Sequence, residues 1–259
     1  MHDAISWFEA GAATHVGKVR RQNEDSYLVA TGSGVWAVAD GMGGHEAGDL
    51  ASHAVVEELQ QIAAPSSAAE LLASCEARMV SANNRLKKIA DERGGVLIGT
   101  TVAVLLIYNE HYACIWSGDS RIYRIRGFGI EQISVDHTEV QELVAEGKIT
   151  PEEGRTWPRR NVITRAIGVY DSPELEMING MLEPGDIFVI CSDGLTNHVE
   201  DREILALATH NPPQRACDLL VELTLDRGAS DNVTVVAVRF DPAAAAALAP
   251  DAAQGEIWE

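Results

Sequence analysis

Apolar residues in this chain form short, nearly continuous runs that are separated by turn residues. Residues 26–30 and 35–39 predict two strands, and the Thr-Gly-Ser-Gly sequence at 31–34 predicts a hairpin connection between them. Residues 99–108 are rich in β-branched side chains and predict a buried strand, with 112–116 as its partner. Because these strands follow one another without intervening helices, we expect antiparallel pairing. Further strands are predicted at 122–125, 187–191 and 233–240.

Apolar side chains recur at every third or fourth position in four other regions. Residues 47–62 and 71–89 show this spacing most clearly and predict two amphipathic helices, the second ending near Gly94. Shorter patterns of the same kind predict helices at 201–209 and 213–225. Consecutive antiparallel strands together with separate helices are typical of the α+β class.

The segment 136–165 differs from the rest of the chain. It contains a short helical pattern at 140–144, and glycine, proline and many charged residues follow that pattern. We expect an irregular excursion over the surface, of the kind that gates a site, and we call it the flap. From residue 241 onward, five consecutive alanines and a polar end predict a tail outside the core. One domain over residues 1–240 and a tail over 241–259 are therefore expected.

The composition adds a strong charge imbalance to this picture. The 259 residues are 46% apolar, which is ordinary for a globular protein, but 39 acidic residues face only 20 basic ones and the net charge is −19. Such a field disfavours nucleic acid and anionic membrane surfaces, and it attracts cations. The four cysteines are far apart and predict buried thiols in a reducing compartment. With no apolar run long enough for a bilayer and no leader pattern, a cytoplasmic location is expected.

Five aspartates stand in short turn-like clusters beside apolar runs. Hard divalent cations take oxygen ligands, and one carboxylate seldom neutralises or orients such an ion alone. Carboxylates carried to the ends of several strands therefore predict a metal-dependent hydrolase. An Asp-Gly pair after a strand is often only a turn, and this alternative stays open for some clusters when they are read singly. The five are Asp25, Asp40, Asp119, Asp193 and Asp231.

Six short motifs follow one another along the chain, and five of them contain these aspartates. They are Arg20-x-x-Asn23-Glu24-Asp25, Asp40-Gly-Met-Gly-Gly-His45, Gly99-Thr-Thr101, Ser117-Gly-Asp-Ser-Arg121, Cys191-Ser-Asp-Gly194 and Ser230-Asp-Asn232. The series resembles the metal-dependent Ser/Thr protein phosphatases, the PPM or type 2C family, and is most similar to its compact bacterial members. The resemblance covers roughly residues 10–240. It implies a four-layer α-β-β-α sandwich, in which two central antiparallel sheets are flanked by helix pairs.

The resemblance also implies a set of metal ligands for two Mn²⁺ or Mg²⁺ ions, with a third ion possible. Asp40 would bridge two ions, and the Gly41 carbonyl would bind one of them. Asp193 and Asp231 would complete the protein ligands of the other ion. Asp119 corresponds to the residue that binds a third ion together with Asp193 in bacterial members. Residues expected to act around these ligands, mostly through water or by support, are Glu24, Asp25 and Asn232.

The chemistry of such a pair of ions is independent of the resemblance. Two divalent ions about 3.5–4 Å apart can share a water and make hydroxide available near neutral pH. That nucleophile would attack phosphorus in line. Arg20 would offset charge on the phosphate oxygens, because a guanidinium binds phosphate through two donors; a surface ion pair is the alternative interpretation of this residue. Met42 stands where some members have a general-acid histidine, and candidates for that role are His45, His137 or a water on a metal.

The sequence therefore predicts a phosphatase for phosphoserine and phosphothreonine in proteins, opposed by a Ser/Thr protein kinase. A monomer is expected, without nucleic acid or membrane partners. Two alternatives remain open at this point. One is a binding module that captures phosphoproteins without hydrolysis, which loss of a core aspartate would favour. The other is a hydrolase for small phosphoesters, for which a short flap and an open cleft would be expected.

Overall fold

Two antiparallel sheets form the centre of the protein. The computed structural model describes residues 7–43 and 47–242. The strands are β1 (Phe8–His15), β2 (Asp25–Ala30), β3 (Val35–Gly43), β4 (Ile98–Thr100), β5 (Val102–Tyr108), β6 (His111–Ser117), β7 (Arg121–Arg126), β8 (Gly129–Gln132), β9 (Glu176–Met181), β10 (Ile187–Cys191) and β11 (Val233–Phe240). The first sheet has the order β1-β11-β10-β7-β8, and the second has the order β2-β3-β5-β6-β9 with β4 paired to β3.

The helices are distributed over the outer faces and the flap. They are α1 (Gly48–Gln60), α2 (Ala68–Glu92), α3 (Glu139–Ala145), α4 (Pro151–Arg155), α5 (Asp193–Thr196), α6 (Asp201–His210) and α7 (Pro213–Asp226). In the described part of the chain, no helix combines the length and the apolar character that a bilayer crossing requires.

The nearly continuous apolar runs in the central strands arise because both faces of each sheet are buried. In β5, Val102 and Val104 pack towards α1 and α2, whereas Ala103 and Leu105 pack between the sheets. The strands β10 and β11 alternate in the same way between the inter-sheet core and a second core beneath α6 and α7. A strand buried on both faces loses the polar alternation of a half-exposed strand. The four-layer α-β-β-α prediction is confirmed.

The hairpin expected at residues 31–34 is present. Thr31–Ser33 forms a single 3₁₀ turn, and Gly34 follows it in the left-handed region with φ of 71°. The connection places β2 directly beside β3, with Ala30 opposite Val35 and Asp25 opposite Asp40. This register matters for the site, because it carries two predicted aspartates to the same end of the second sheet.

Two strand predictions need correction. The sequence pattern predicts no strand before residue 26, but Phe8–His15 forms β1 at the edge of the first sheet. β1 consists mainly of small residues, so its hydrophobic signal in the sequence is weak. On the free edge of β1, the Gln214 side chain accepts from the Ala12 N–H and donates to the Ala12 carbonyl. The single strand expected at 99–108 is divided, because the chain leaves the strand conformation at Thr101, whose N–H donates to the Asp40 carbonyl over 2.9 Å.

The flap segment runs out from the core between β8 and β9. It contains α3 and α4, of which only the first has a counterpart in the sequence pattern. A bridge between Thr138 and Ile163 closes its base. The tail expected over 241–259 lies outside the described residues apart from its first two positions.

Candidate metal centre and active site

The first part of the site is built by the β2–β3 hairpin. Asp25 and Asp40 are directly opposite each other in the antiparallel register. The next pair is joined by the Gly41 N–H, which donates to the Glu24 carbonyl over 3.1 Å. A Cβ at residue 41 would lie 1.9 Å from the carbonyl oxygen of Gly48. Only glycine permits this approach of β3 to the start of α1, so the glycine after Asp40 has a steric cause.

The second part of the site comes from the first sheet. Asp193 is the first residue of α5, and Ser192 alone separates it from the end of β10. Its neighbour Ser192 connects the two sheets, since its hydroxyl donates to Asp25 Oδ2 over 2.7 Å and accepts from the Thr234 N–H over 3.0 Å. The Asn197 side chain donates to Asp193 Oδ2 over 3.1 Å. The buried serine therefore holds the aspartate of one sheet against the end of the other.

Asn232 fixes the turn that carries Asp231. Its Nδ2 donates to the carbonyls of Val16 and Gln22, over 2.8 and 2.9 Å. Its Oδ1 accepts from the Glu24 N–H over 2.8 Å, and its own N–H donates to Asp231 Oδ1 over 2.8 Å. One buried amide thus connects the segment 16–24 to the Asp231 turn, about two hundred positions away in sequence. Asn232 bonds to backbone groups and to the Asp231 side chain, which agrees with the expectation that it supports a metal ligand.

Asp119 lies in the turn between β6 and β7. The neighbouring Ser120 hydroxyl bonds Thr101 Oγ1 over 2.7 Å, and Thr101 Oγ1 also accepts from the Asp40 N–H over 3.1 Å. The Asp119 turn is consequently linked to the Asp40 backbone through a single threonine. Thr101 belonged to one of the sequence clusters, but its contact role was not predicted.

Arg20 stands at the rim of the site. Its Nη2 contacts Asp231 Oδ2 over 2.7 Å, and about half of its side chain is exposed. The hydrogen bond to Asp231 raises the pKa of Arg20, so the guanidinium stays charged. The exposed fraction leaves other N–H donors available for an anion. The ion-pair interpretation of Arg20 therefore does not exclude phosphate binding.

A single cavity of about 340 Å³ brings most of the predicted residues together. Asp25 is not among the residues that line the cavity, and it is only 5% exposed. Thr101 and two flap residues, Asn161 and Ile163, also line the cavity. The flap pair could not be identified from the sequence, because nothing local indicates which flap residues turn inward. The predicted residues that line it are Arg20, Glu24, Asp40, Gly41, Asp119, Asp193, Asp231 and Asn232.

Burial and mutual repulsion dominate the electrostatics of this cluster. The five largest influences on Asp40 are burial and the charges of the other four predicted aspartates, and together they raise its pKa well above the ordinary value. Burial raises the pKa of Asp25 to about 7 and that of Asp119 to about 8. Burial and the Asp231 charge also raise the pKa of Asp193. Concentrated negative charge of this kind favours cation binding, because a divalent ion reverses the sign of the local field.

The donor set fits a hard divalent ion. Within residues 7–43 and 47–242, no three His, Cys, Asp or Glu side chains are grouped closely enough to form a complete ligand set. Mg²⁺ and similar ions usually retain several waters and take few protein ligands, so an open set of carboxylates suits them. Asp25 Oδ1 is buried and accepts no hydrogen bond within the described residues. A buried oxygen without a donor is a further indication that a cation or its water belongs beside it.

The candidate general acids are not supported equally. His137 is 5% exposed and does not line the cavity, and its Nδ1 accepts a hydrogen bond from the Gly118 N–H over 3.2 Å. Its engaged ring is therefore unsuited to protonating a leaving group. Met42 lines the cavity, and its thioether has no proton to give. His45 lies outside the described residues.

Comparisons with known proteins agree with this geometry. The protein phosphatase 2C family matches residues 14–215, and the chain belongs to this family. It is 38% identical over 222 residues to the serine/threonine protein phosphatase PstP of Mycobacterium tuberculosis, a match that covers 85% of this chain and 42% of PstP. This chain therefore spans less than half of that relative. It is also 34% identical over 243 residues to protein phosphatase PhpP of Streptococcus pneumoniae, covering 90% of this chain and 98% of PhpP.

One solved structure bears on the metal prediction. The catalytic domain of serine threonine protein phosphatase PstP, in complex with two manganese ions, superimposes with a TM-score of 0.80 at 35% identity. The match covers 90% of this chain and 98% of that one. At this level of identity and coverage, the fold of this chain corresponds to that of the PstP catalytic domain over most of its length.

Proposed function

We propose that this protein is a Mn²⁺- or Mg²⁺-dependent phosphatase that hydrolyses phosphoserine and phosphothreonine in proteins. The observation that carries the proposal is the convergence of Asp40, Asp119, Asp193 and Asp231 on one cavity with Arg20 at its rim. Family membership supports it, as do the activities for which PstP and PhpP are named.

Different residues of the cavity would bind different metal ions. Asp40 would bridge two ions, with the Gly41 carbonyl on one of them and with Asp193 and Asp231 on the other. Asp119 would join Asp193 at a third ion. When bound, such ions supply Lewis-acid stabilisation and lower the pKa of water to near neutrality.

The remaining residues would organise the site around those ligands. Glu24 and Asp25 would act mainly through water. Asp25 is held for this by Ser192, whose hydroxyl donates to one carboxylate oxygen and leaves the other free. Asn232 would keep the Asp231 turn in place through its backbone contacts.

Arg20 would hold the phosphate of the substrate. Its contact with Asp231 fixes the guanidinium beside the cavity, and the free N–H donors can bind phosphate oxygens in pairs. Positioning of this kind contributes strongly to phosphoryl transfer, in which the protein mainly orients groups and stabilises charge.

A second cavity supports a protein substrate. It measures about 240 Å³, lies between the catalytic residues and the flap helices, and shares Asp119, Asn161 and Asp193 with the first cavity. The two cavities adjoin at these three residues, and together they offer more space than a phosphate needs. Small phosphoesters would leave the flap side unused, whereas residues flanking a phosphosite would fill it.

Several broader features belong to the same proposal. Residues 1–240 would form the phosphatase domain with the flap at 136–165, and 241–259 would form a tail. The protein would act as a cytoplasmic monomer on substrates of a Ser/Thr protein kinase. The acidic net charge of −19 supports the absence of nucleic acid and anionic membrane partners.

Phosphate release tests the proposal directly. The purified protein should release phosphate from phosphothreonine peptides and from p-nitrophenyl phosphate with Mn²⁺, and a chelator should stop the reaction. Asp193→Asn should abolish turnover with the fold intact by circular dichroism. Asp201→Asn is the matched control, because it removes an aspartate at the start of α6, away from the cavity. Metal-loaded protein that binds the phosphopeptide without hydrolysing it would favour the binding-module alternative.

A further inference from the structure

His137 joins the base of the flap to the core. Its backbone N–H donates to the Gly118 carbonyl over 2.9 Å, and its carbonyl accepts from the Thr164 N–H over 2.8 Å. The imidazole is buried and stacks on Trp116, with ring centroids 6.1 Å apart and planes 22° from parallel. One residue thus connects the segment that enters the flap, the segment that leaves it, and the turn after β6.

The imidazole adds a second bond to the same turn. Its Nδ1 accepts from the Gly118 N–H over 3.2 Å. An accepting Nδ1 places the ring proton on Nε2, an assignment that follows from this bond. Nε2 faces Glu176 Oε1 at 3.3 Å and also lies 3.4 Å from Arg165 Nη1, which donates to the same carboxylate oxygen over the shorter distance of 2.7 Å. Glu176 therefore favours the tautomer that the Gly118 contact needs.

Gly118 has little freedom to move, and Asp119 follows it directly. Its φ is +110°, and a Cβ there would lie 2.6 Å from the Cβ of Thr101. On the other side of the turn, the Ser120 hydroxyl bonds Thr101 Oγ1 over 2.7 Å. The turn that carries Asp119 is consequently held by Thr101 on one side and by His137 on the other.

We propose that His137 is a positioning residue that fixes the Asp119 turn to the base of the flap. The imidazole acts through the Gly118 backbone and touches neither cavity. Its effect is to keep Asp119 and the flap residues of the second cavity in one geometry for a phosphoprotein. The catalytic consequence rests on the proposed function, whereas the structural coupling does not.

Two substitutions separate this role from packing alone. The side-chain oxygen of His137→Asn takes approximately the place of Nδ1 and keeps an acceptor for the Gly118 N–H. In His137→Gln the side-chain amide extends one bond further, towards Glu176, and the Gly118 N–H loses its side-chain acceptor. Both variants remove the stacking on Trp116, and a role in packing alone would make the smaller asparagine at least as damaging as the glutamine.

Amide hydrogen exchange is the first measurement. We expect the Gly118 amide to exchange about fivefold faster or more in His137→Gln than in His137→Asn, because one buried hydrogen bond is missing. Flap peptides from 136–165 should lose protection in the same variant. Equal exchange at Gly118 in the two variants would overturn the proposal. The measurement needs no substrate, so it remains decisive for a protein without phosphatase activity.

Steady-state kinetics is the second measurement. In His137→Gln, kcat/KM for a phosphothreonine peptide should fall about fivefold, with p-nitrophenyl phosphate hydrolysis within about twofold of wild type. His137→Asn should restore the peptide reaction. Equal losses in both variants would refute the positioning role, whereas a wild-type protein that releases no phosphate would refute the proposed function instead.

If His137→Gln does not fold, a third variant can test the proposal in its place. Glu176→Leu removes the carboxylate that favours the Nε2–H tautomer and leaves the imidazole in place. We expect faster exchange at Gly118 in this variant too, because the other tautomer cannot accept from its N–H. Unchanged exchange at Gly118 would contradict the proposal.

Discussion

Removing the charge of Asp25 should stabilise the metal-free protein at alkaline pH. Asp25 is 5% exposed, and burial raises its pKa from 3.8 to about 7. The folded protein therefore binds this proton more tightly than the unfolded chain does. Between pH 3.8 and 7, folding stability falls as the pH rises, and the full penalty is present above pH 7.

The size of the effect follows from the pKa difference. Each pKa unit corresponds to about 1.4 kcal/mol, so a shift of roughly three units sets a ceiling of about 4 kcal/mol at pH 8. For a protein of this size, 1 kcal/mol corresponds to about 2–4 °C in Tm. Asp25→Asn should therefore raise the Tm at pH 8 by up to roughly 16 °C and should change it little at pH 4. The substituted amide keeps an oxygen acceptor for the Ser192 hydroxyl.

Thermal unfolding in chelator at the two pH values measures this difference. Asp91→Asn, an exposed position on α2, is the matched control and should stay within about 0.5 kcal/mol of wild type. Saturating Mn²⁺ should then stabilise the wild type more than Asp25→Asn, because ligand binding to the folded state adds to its stability. A lower Tm for Asp25→Asn at pH 8 in chelator would refute the electrostatic reasoning.

Two further predictions concern stability. Gly194→Ala should cost at least about 1–3 kcal/mol in urea unfolding, because its Cβ would lie 1.8 Å from the Asn232 carbonyl oxygen. Gly32→Ala, with open space around it, should be nearly neutral, and equal effects would contradict the steric argument. Burial and the Arg165 charge lower the pKa of His137, so its contribution to stability should be lost as the pH falls through 6.5. His137→Asn should remove this part of the pH dependence, and an unchanged pH profile would contradict it.

The positions of the aspartates could be predicted because each follows or precedes an apolar run that becomes a strand. Asp40 and Asp193 come directly from buried strands, and the short hairpin at 31–34 determines the register that sets Asp25 opposite Asp40. Strands buried on both faces leave a continuous apolar signal. Where local chemistry determines the backbone, the sequence predicts both the strand and the aspartate beside its end.

Long-range contacts account for what the sequence did not reveal. β1 consists largely of small residues, and its free edge is covered by Gln214, which is about two hundred positions away. The break at Thr101 depends on hydrogen bonds to Asp40 and Ser120. Asn161 reaches the cavity only because the flap folds back over the site. None of these contacts leaves a local pattern.

Anomalous diffraction from crystals grown with Mn²⁺ tests the central claim most directly. The account predicts two manganese peaks in the cavity about 3.5–4 Å apart, with Asp40 in contact with both. Asp193 and Asp231 should contact one of the two. Peaks that avoid these three aspartates, in a protein that hydrolyses phosphothreonine peptides, would contradict it.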